Sequence, residues 1–353
     1  DFSKVTARRT DLTGGRPRMV RPPVRSMVAR RLGKALPVSA GHFLVGREEG
    51  APRRWLSIVP RAGGMDTLGV MTQNIVTSLL LGFGLSVVIA ALAYWRGSLS
   101  RSGAAGAVLV GTLIFGLGGW IWGVVLAVFF ISSSALSHFR EREKAAVAEK
   151  FEKGHRRDMG QVLANGGLAA VIALLSAVVP ASAVPGAVWF YLFLGVMATV
   201  TADTWATELG TLSAAPPRLI TSGRVVEVGT SGGVSLLGTS VSLGGGLLIG
   251  LTAGVLSALA GHMGWGAALL VAVIGALSGA TGSLLDSLMG ATVQQIYYCD
   301  TCHKETERRV HRCGTTTRPL RGWSWMNNDL VNLLSSLGGG LAAAGLAAWW
   351  LFL

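Results

Sequence analysis

The feature that most constrains this chain is a succession of apolar runs, each long enough to enter a bilayer. A membrane-spanning helix needs about 20 predominantly apolar residues. Ile75 to Trp95 supplies 21 and ends on Trp95 and Arg96, the aromatic-then-basic order of a membrane interface. Ala104 to Ser134 is longer than one crossing needs and reads GLGGW at its middle, so it is read as two helices joined at Gly118-Gly119. Val162 to Val179, stopped by Pro180 and Pro185, comes next, then Ala187 to Ala202, Val234 to Ala260, Ala267 to Gly282 and Leu330 to Leu353. The count is eight crossings, with six or seven also open. The fold class is all-α: a polytopic membrane helical bundle with some broken or short helices.

Composition agrees. Half of the 353 residues are hydrophobic, 14% are charged and the mean hydropathy is +0.51. The net charge of +13 would suit a nucleic-acid partner, but it is concentrated at one end. Residues 1 to 70 hold fourteen Lys/Arg against five Asp/Glu, and the remainder holds seventeen against thirteen. Nucleic acid is therefore not the expected partner, and the lipid bilayer is. The first seventy residues lack apolar periodicity and contain Pro and Gly breakers, so they are expected to form a disordered basic leader. That leader is either an organellar transit peptide or sequence foreign to the working protein, with Met65 or Met71 as the start. Residues 71 to 353 form the transmembrane domain, integral to a cell membrane in a bacterium or to an organellar membrane if the leader is a transit peptide. The basic loops all fall on one side of this topology, the segment 299-326 among them, while PASAVP and GHMGW carry no Lys or Arg. Positive-inside makes the basic side cytoplasmic. The mixed-charge stretch from His138 to Gly160 reads as a solvated helical arm.

Chemistry is concentrated in ATVTADTWATELG, residues 198 to 210, where an apolar run ends in Asp203 and Glu208. A carboxylate at the end of a membrane helix is costly to hold in low dielectric and calls for a cation. Asp203 and Thr207 share a helix face, whereas Glu208 lies about 140° further round, so both acids reach one metal only if the helix unwinds or bends. The plainer alternative is an interfacial acid that caps a following helix. Asp286 stands on a stripe with Gly279, Gly282, Ser283 and Gly290, a small-residue face around a single acid. Asn328 and Asp329 open the last span, with Asn332 four residues on, and Gln161 and Asn165 are likewise four apart. Gly229, Thr230, Ser231, Gly232 and Gly233 form a glycine-rich turn before a helix, which presents backbone N–H groups and a positive dipole end to a phosphate. Arg96, Arg101 and Arg218 are candidate phosphate clamps, with a snorkelling interfacial role as the alternative for Arg96. All three cysteines lie in YCDTCHKETERRVHRCG. Cys299, Cys302, His311 and Cys313 supply a closed four-ligand set for a structural Zn²⁺, with no open position for catalysis. Walker A, G-x-S-x-G and H-E-x-x-H signatures are absent.

The order SxSxSGAxxA, FFxSSS, QVLANGG, ADTWATELG, PRLIT, GTSGGVS, LLDSLMGAT, the Cys/His segment and NNDxVN resembles the transmembrane protein 19 family, which includes the plant phytyl-phosphate kinases. The resemblance covers residues 71 to 353. It implies an integral-membrane kinase that passes the γ-phosphoryl of a nucleotide triphosphate, with CTP as the expected donor, to an isoprenoid monophosphate. ADTWATELG is also loosely similar to the acid-containing motif of CTP-dependent polyprenol kinases. Such an acceptor is already an oxyanion, so the chemistry asks for positioning and charge neutralisation more than for a strong base. Asp203, Glu208, Asp286 and Asp329 are then the candidate Mg²⁺ holders. Intramembrane acids also occur in ion-coupled transporters, and a scaffold using the Cys/His segment is a third class.

Overall fold

The computed structural model describes residues 68–139 and 156–352, with side chains from 75 to 139 and from 156 to 350. The basic leader and most of the mixed-charge arm lie outside the described residues. Within them are eight helices long and apolar enough to cross a membrane. In chain order these are α1 (Leu68–Trp95), α2 (Arg101–Gly118), α3 (Trp120–His138), α4 (Met159–Val178), α5 (Gly186–Gly210), α6 (Leu236–Leu259), α7 (Trp265–Thr292) and α8 (Asn328–Phe352). The break expected at GLGGW falls between α2 and α3, where Gly119 has φ of +83°, a conformation that a Cβ would make costly.

Burial sorts the helices by position. The span of α5 is 72% buried and that of α1 only 17%. The sequence of α5 is apolar all round, and residues 193 to 202 are buried without interruption, as a helix enclosed by others requires. It packs against α3, α4, α6, α7 and α8. By contrast α1 leans on α2 and turns Leu80, Leu81, Val88 and Leu92 outward, toward lipid.

Glycine sets how closely α6 and α7 approach. Gly246, Gly250 and Gly254 repeat every fourth residue on one face of α6, and a Cβ on them would stand 2.5 to 2.7 Å from α7 backbone atoms of Gly275, Ala272 and Ala268. Small residues at this spacing let backbones meet, so dispersion contacts hold two helices together where lipid removes the hydrophobic drive.

Four helices run past the limits of their apolar sequence. α5 continues through Asp203 and Glu208 to Gly210, and α7 through Asp286 to Thr292. The unwinding that would have brought Asp203 and Glu208 to one side is therefore absent: the helix stays regular, and the two acids face different neighbours. α4 begins three residues early, at Met159, on a capping box in which Asp158 accepts from the Gln161 N–H and the Gln161 side chain accepts from the Asp158 N–H. α8 likewise begins at Asn328.

Two small antiparallel sheets lie at one end of the bundle. β1 (Arg218–Leu219) pairs with β2 (Gly233–Val234) ahead of α6. β3 (Ile296–Cys299), β4 (Lys304–Thr306) and β5 (Arg318–Arg321) form a sheet of order β4-β3-β5 between α7 and α8. Gly322, with φ of +86°, lets the chain after β5 lie directly on the Gln294 carbonyl, where any Cβ would collide.

Candidate functional site

The even alternation of crossings brings the C-terminal ends of α3, α5 and α7 and the N-terminal ends of α4, α6 and α8 to one membrane face. Between them is a polar cavity of ≈ 330 Å³. Asp203 and Glu208 of α5, Asp286 of α7 and Asp329 of α8 all line it, as do Asn165, Asn328 and residues 229 to 233.

Three of the four acids accept a hydrogen bond from a neighbouring helix's hydroxyl. Ser283 of α7 donates to the Asp203 carboxylate at 3.4 Å, and Ser335 of α8 donates to Asp286 at 3.1 Å. Ser137 of α3 donates to Glu208 at 2.6 Å. All four acids are half-buried. Several carboxylates that share a partly desolvated space repel one another and create a strong demand for cations.

The glycine-rich segment arches over this space. Gly229 and Gly232 both take positive φ, at +81° and +85°, and a Cβ on Gly232 would press into Ala291 of α7. Arg321 fixes the arch from behind, donating to the Gly290 carbonyl at 2.7 Å and to the Ser231 carbonyl at 3.2 Å. The Ser231 hydroxyl donates to Gln294 at 2.8 Å, and Gln294 in turn donates to Glu307 at 2.8 Å, so the arch, the end of α7 and the β-sheet are one hydrogen-bonded unit. Directly after the arch, Ser235 caps α6 by accepting from the Gly238 N–H at 3.1 Å. Ser235, Gly238 and Thr239 line the cavity, so the positive end of α6 faces it.

The cations of the cavity are not those expected. Arg96 and Arg101 are exposed, and Arg101 donates to the Tyr94 hydroxyl at 3.5 Å. Arg218 is exposed and donates to the Gly223 carbonyl at 2.9 Å. None of the three lines the cavity, whereas Arg157 and Arg312 do. The Arg157 guanidinium sits over the Phe129 and Phe130 rings at 5.4 and 5.8 Å. Burial pushes its pKa down to about 10 while the Glu208 carboxylate acts against that, so Arg157 stays cationic at neutral pH.

Glu307 and Gln294 also line the cavity and carried no distinguishing sequence signal. Arg157 carried none either: it precedes the N-cap Asp158, so its spacing to Gln161 and Asn165 is not a helical one.

A second, apolar pocket of ≈ 70 Å³ lies among α1, α2, α3 and α4, lined by Ala90, Ala107, Val110, Leu126, Phe129 and Phe130 among others. It shares Arg157, Gln161 and Asn165 with the polar cavity, so the two meet at those side chains.

Cys299, Cys302, His311 and Cys313 come together beside β3 and β4, their ligand atoms all within 4.8 Å of one another. Hydrogen bonding with Thr315 and then with His311 pulls the Cys313 thiol down to about 6, while bonding with Cys313 pushes the Cys302 thiol up to about 11.

Helix number, lipid-facing surface and half-buried carboxylates define a polytopic integral membrane protein with an acid-lined cavity at one membrane face. Residues 84–340 match the family described as integral membrane protein DUF92, and the chain belongs to that family. The motif order that resembles the transmembrane protein 19 family falls inside the matched region. Protein PGR of Arabidopsis thaliana is 34% identical over 73% of this chain and 92% of its own length. An uncharacterized membrane protein of Methanocaldococcus jannaschii is 30% identical over 65% of this chain and 87% of its own. Protein VTE6, chloroplastic, of Arabidopsis thaliana is 29% identical over 68% of this chain and 63% of its own. No solved structure matches the chain.

Proposed function

We propose that the chain is an integral-membrane prenyl-phosphate kinase, which transfers the γ-phosphoryl group of a nucleotide triphosphate, CTP by family resemblance, to an isoprenoid monophosphate. The observation that carries this reading is the meeting of the two cavities at Arg157, Gln161 and Asn165. An amphiphile with a phosphate head and an apolar tail has its two halves solvated there by two differently built spaces. The resemblance to a family that includes plant phytyl-phosphate kinases supports the same substrate class, as does the 29% identity to the chloroplastic plant relative.

The residues suit the chemistry. An oxygen of the acceptor phosphate attacks the γ-phosphorus, the bond from that phosphorus to the β,γ-bridging oxygen breaks, and the nucleoside diphosphate leaves with the bonding pair. No proton has to be removed from the acceptor oxygen, so positioning and charge neutralisation carry the rate. The arch 229–233 and the N-terminal end of α6 present N–H groups to phosphate oxygens, and Arg157 holds the acceptor head where the tail pocket opens. Arg312 faces the donor phosphates from the β-sheet side. Asp203, Asp286 and Asp329, with their neighbouring hydroxyls and amides, are the hard oxygen donors that Mg²⁺ prefers. When bound, that ion offsets the charge of the crowded phosphates. The Glu208 carboxylate favours the charged form of Arg157, so its charge serves that cation more than a fourth metal-ligand role.

The test is transfer by protein purified in detergent, given Mg²⁺, γ-labelled nucleotides and a panel of prenyl monophosphates. Label appearing in a prenyl diphosphate is the expected result. No transfer to any acceptor from any nucleotide, by protein that remains monodisperse, would remove the kinase reading and leave the ion-coupled transporter as the next to assay.

A further inference from the structure

We propose that Cys299, Cys302, His311 and Cys313 bind one structural zinc ion, and that this ion fixes the segment carrying Glu307 and Arg312 in the wall of the polar cavity. The geometry is already close to a zinc centre. Zn–S bonds of about 2.3 Å and Zn–N bonds of about 2.0–2.1 Å put tetrahedral ligand atoms about 3.5 to 3.8 Å apart. Here the Cys299 and Cys313 sulfurs are 3.6 Å apart, and His311 Nδ1 is 3.3 Å from the Cys313 sulfur. All three cysteines are free, and a sulfur separation of 3.6 Å is far beyond a disulfide bond.

The backbone around the cluster supports the same assignment. The ligands arrive in two pairs, Cys299 with Cys302 at the β3–β4 turn and His311 with Cys313 in the turn before β5. The residue after the second ligand of each pair is left-handed: His303 with φ of +53° and Gly314 with φ of +85°. His303 is the only non-glycine residue with positive φ among the described residues. A β-carbon in that region is strained and persists where the surroundings over-determine it. Such a turn directs successive N–H groups toward an anion, which a zinc-bound thiolate is. Cys299 is fully buried and His311 5% exposed, so half of the ligand set is withdrawn from solvent next to partners of the right kind.

The consequence for the cavity follows from chain order. Arg312 lies between two ligands and Glu307 lies four residues before His311, and both line the cavity. The sheet that carries them has three short strands, too few to hold a loop by backbone pairing alone. A metal that closes the loop supplies that rigidity. Zinc binding itself does not depend on the kinase reading; only the role of Arg312 toward phosphates does.

The experiment uses the full chain purified without chelator from cells supplied with zinc, with metal content measured by mass spectrometry and backbone hydrogen exchange followed across residues 293–327. About one zinc per chain is expected. The single substitution Cys302→Ser, at the less buried end of the cluster, should lower that content at least tenfold and speed exchange in 296–321, with exchange in α5 to α7 unchanged. The same loosening should follow when zinc is stripped from the wild-type protein by a chelator, which separates loss of metal from misfolding of the variant. A wild-type protein with less than about one tenth of a zinc per chain, whether its cysteines are recovered as free thiols or as a disulfide, overturns the proposal, as does a Cys302→Ser protein that keeps its zinc. Zinc present with exchange of 296–321 indifferent to its removal would overturn the second half, the fixing of Glu307 and Arg312.

Discussion

At the scale of single residues, the cavity separates its acids by what holds them. Asp203 and Asp286 each accept one hydroxyl and line the open space, whereas Glu208 accepts a hydrogen bond from Ser137 and its charge favours the cationic form of Arg157. Asp203→Asn keeps the shape and the Ser283 contact but removes a charge, so phosphoryl transfer should fall by at least about 100-fold with little change in thermal stability. Asp286→Asn should do the same. If it alters only the melting temperature, Asp286 is a packing acid and the metal lies elsewhere. Arg157→Gln tests a different role. It leaves a polar group at the junction of the two spaces but no cation, and should raise KM for the prenyl monophosphate more than KM for the nucleotide; equal effects on both would deny Arg157 a place on the acceptor side.

At the scale of elements, the eight helices were legible because apolar length is a direct physical requirement of the bilayer, and the glycine break between α2 and α3 because GLGGW interrupts an overlong run. Helix ends were less legible. Hydropathy stops at Ala202 and Gly282, but α5 and α7 continue as helices along the cavity, since a helix satisfies its own backbone hydrogen bonds beside polar side chains as it does in lipid. The two arginines of the cavity were hidden in runs of other charges, HRRD and ERRVHRC, where charge counts alone cannot tell a solvated side chain from one turned inward. Arg96, Arg101 and Arg218 stood out because they flank apolar runs, yet flanking positions are where an arginine reaches back to the interface. The two helix pairings also yield separate expectations. Gly250→Leu would press a side chain into the Ala272 backbone of α7, where neither helix can yield locally, and should lower stability by about 1–3 kcal/mol or more, read as earlier thermal unfolding in detergent. Ala107→Phe narrows the apolar pocket instead. It should raise KM for long prenyl monophosphates relative to short ones, and an unchanged length preference would place the tail outside that pocket.

At the scale of the whole molecule, the argument concerns which way the bundle faces. Among the described residues, the connections at the cavity face carry Arg96, Arg156, Arg157, Arg218, Arg224 and the basic residues of the β3–β5 segment, while the opposite turns after α2, α4 and α6 carry no Lys or Arg. By the positive-inside rule, that asymmetry predicts a cavity that faces the cytoplasm. The same orientation is demanded independently by the proposed chemistry, because nucleoside triphosphates are cytoplasmic metabolites. Two exposed positions report it: Ala183, in the turn between α4 and α5, and Ser222, between β1 and β2. In intact cells a membrane-impermeant maleimide should label an Ala183→Cys protein, and should label a Ser222→Cys protein only after permeabilisation. The wild-type chain, whose three cysteines all lie on the cavity face, serves as the background. Labelling of Ser222→Cys in intact cells, with Ala183→Cys protected, would reverse the bundle. The acid-lined cavity would then open away from its nucleotide, and the kinase reading would fail on topology alone, whatever the side chains within the cavity suggest.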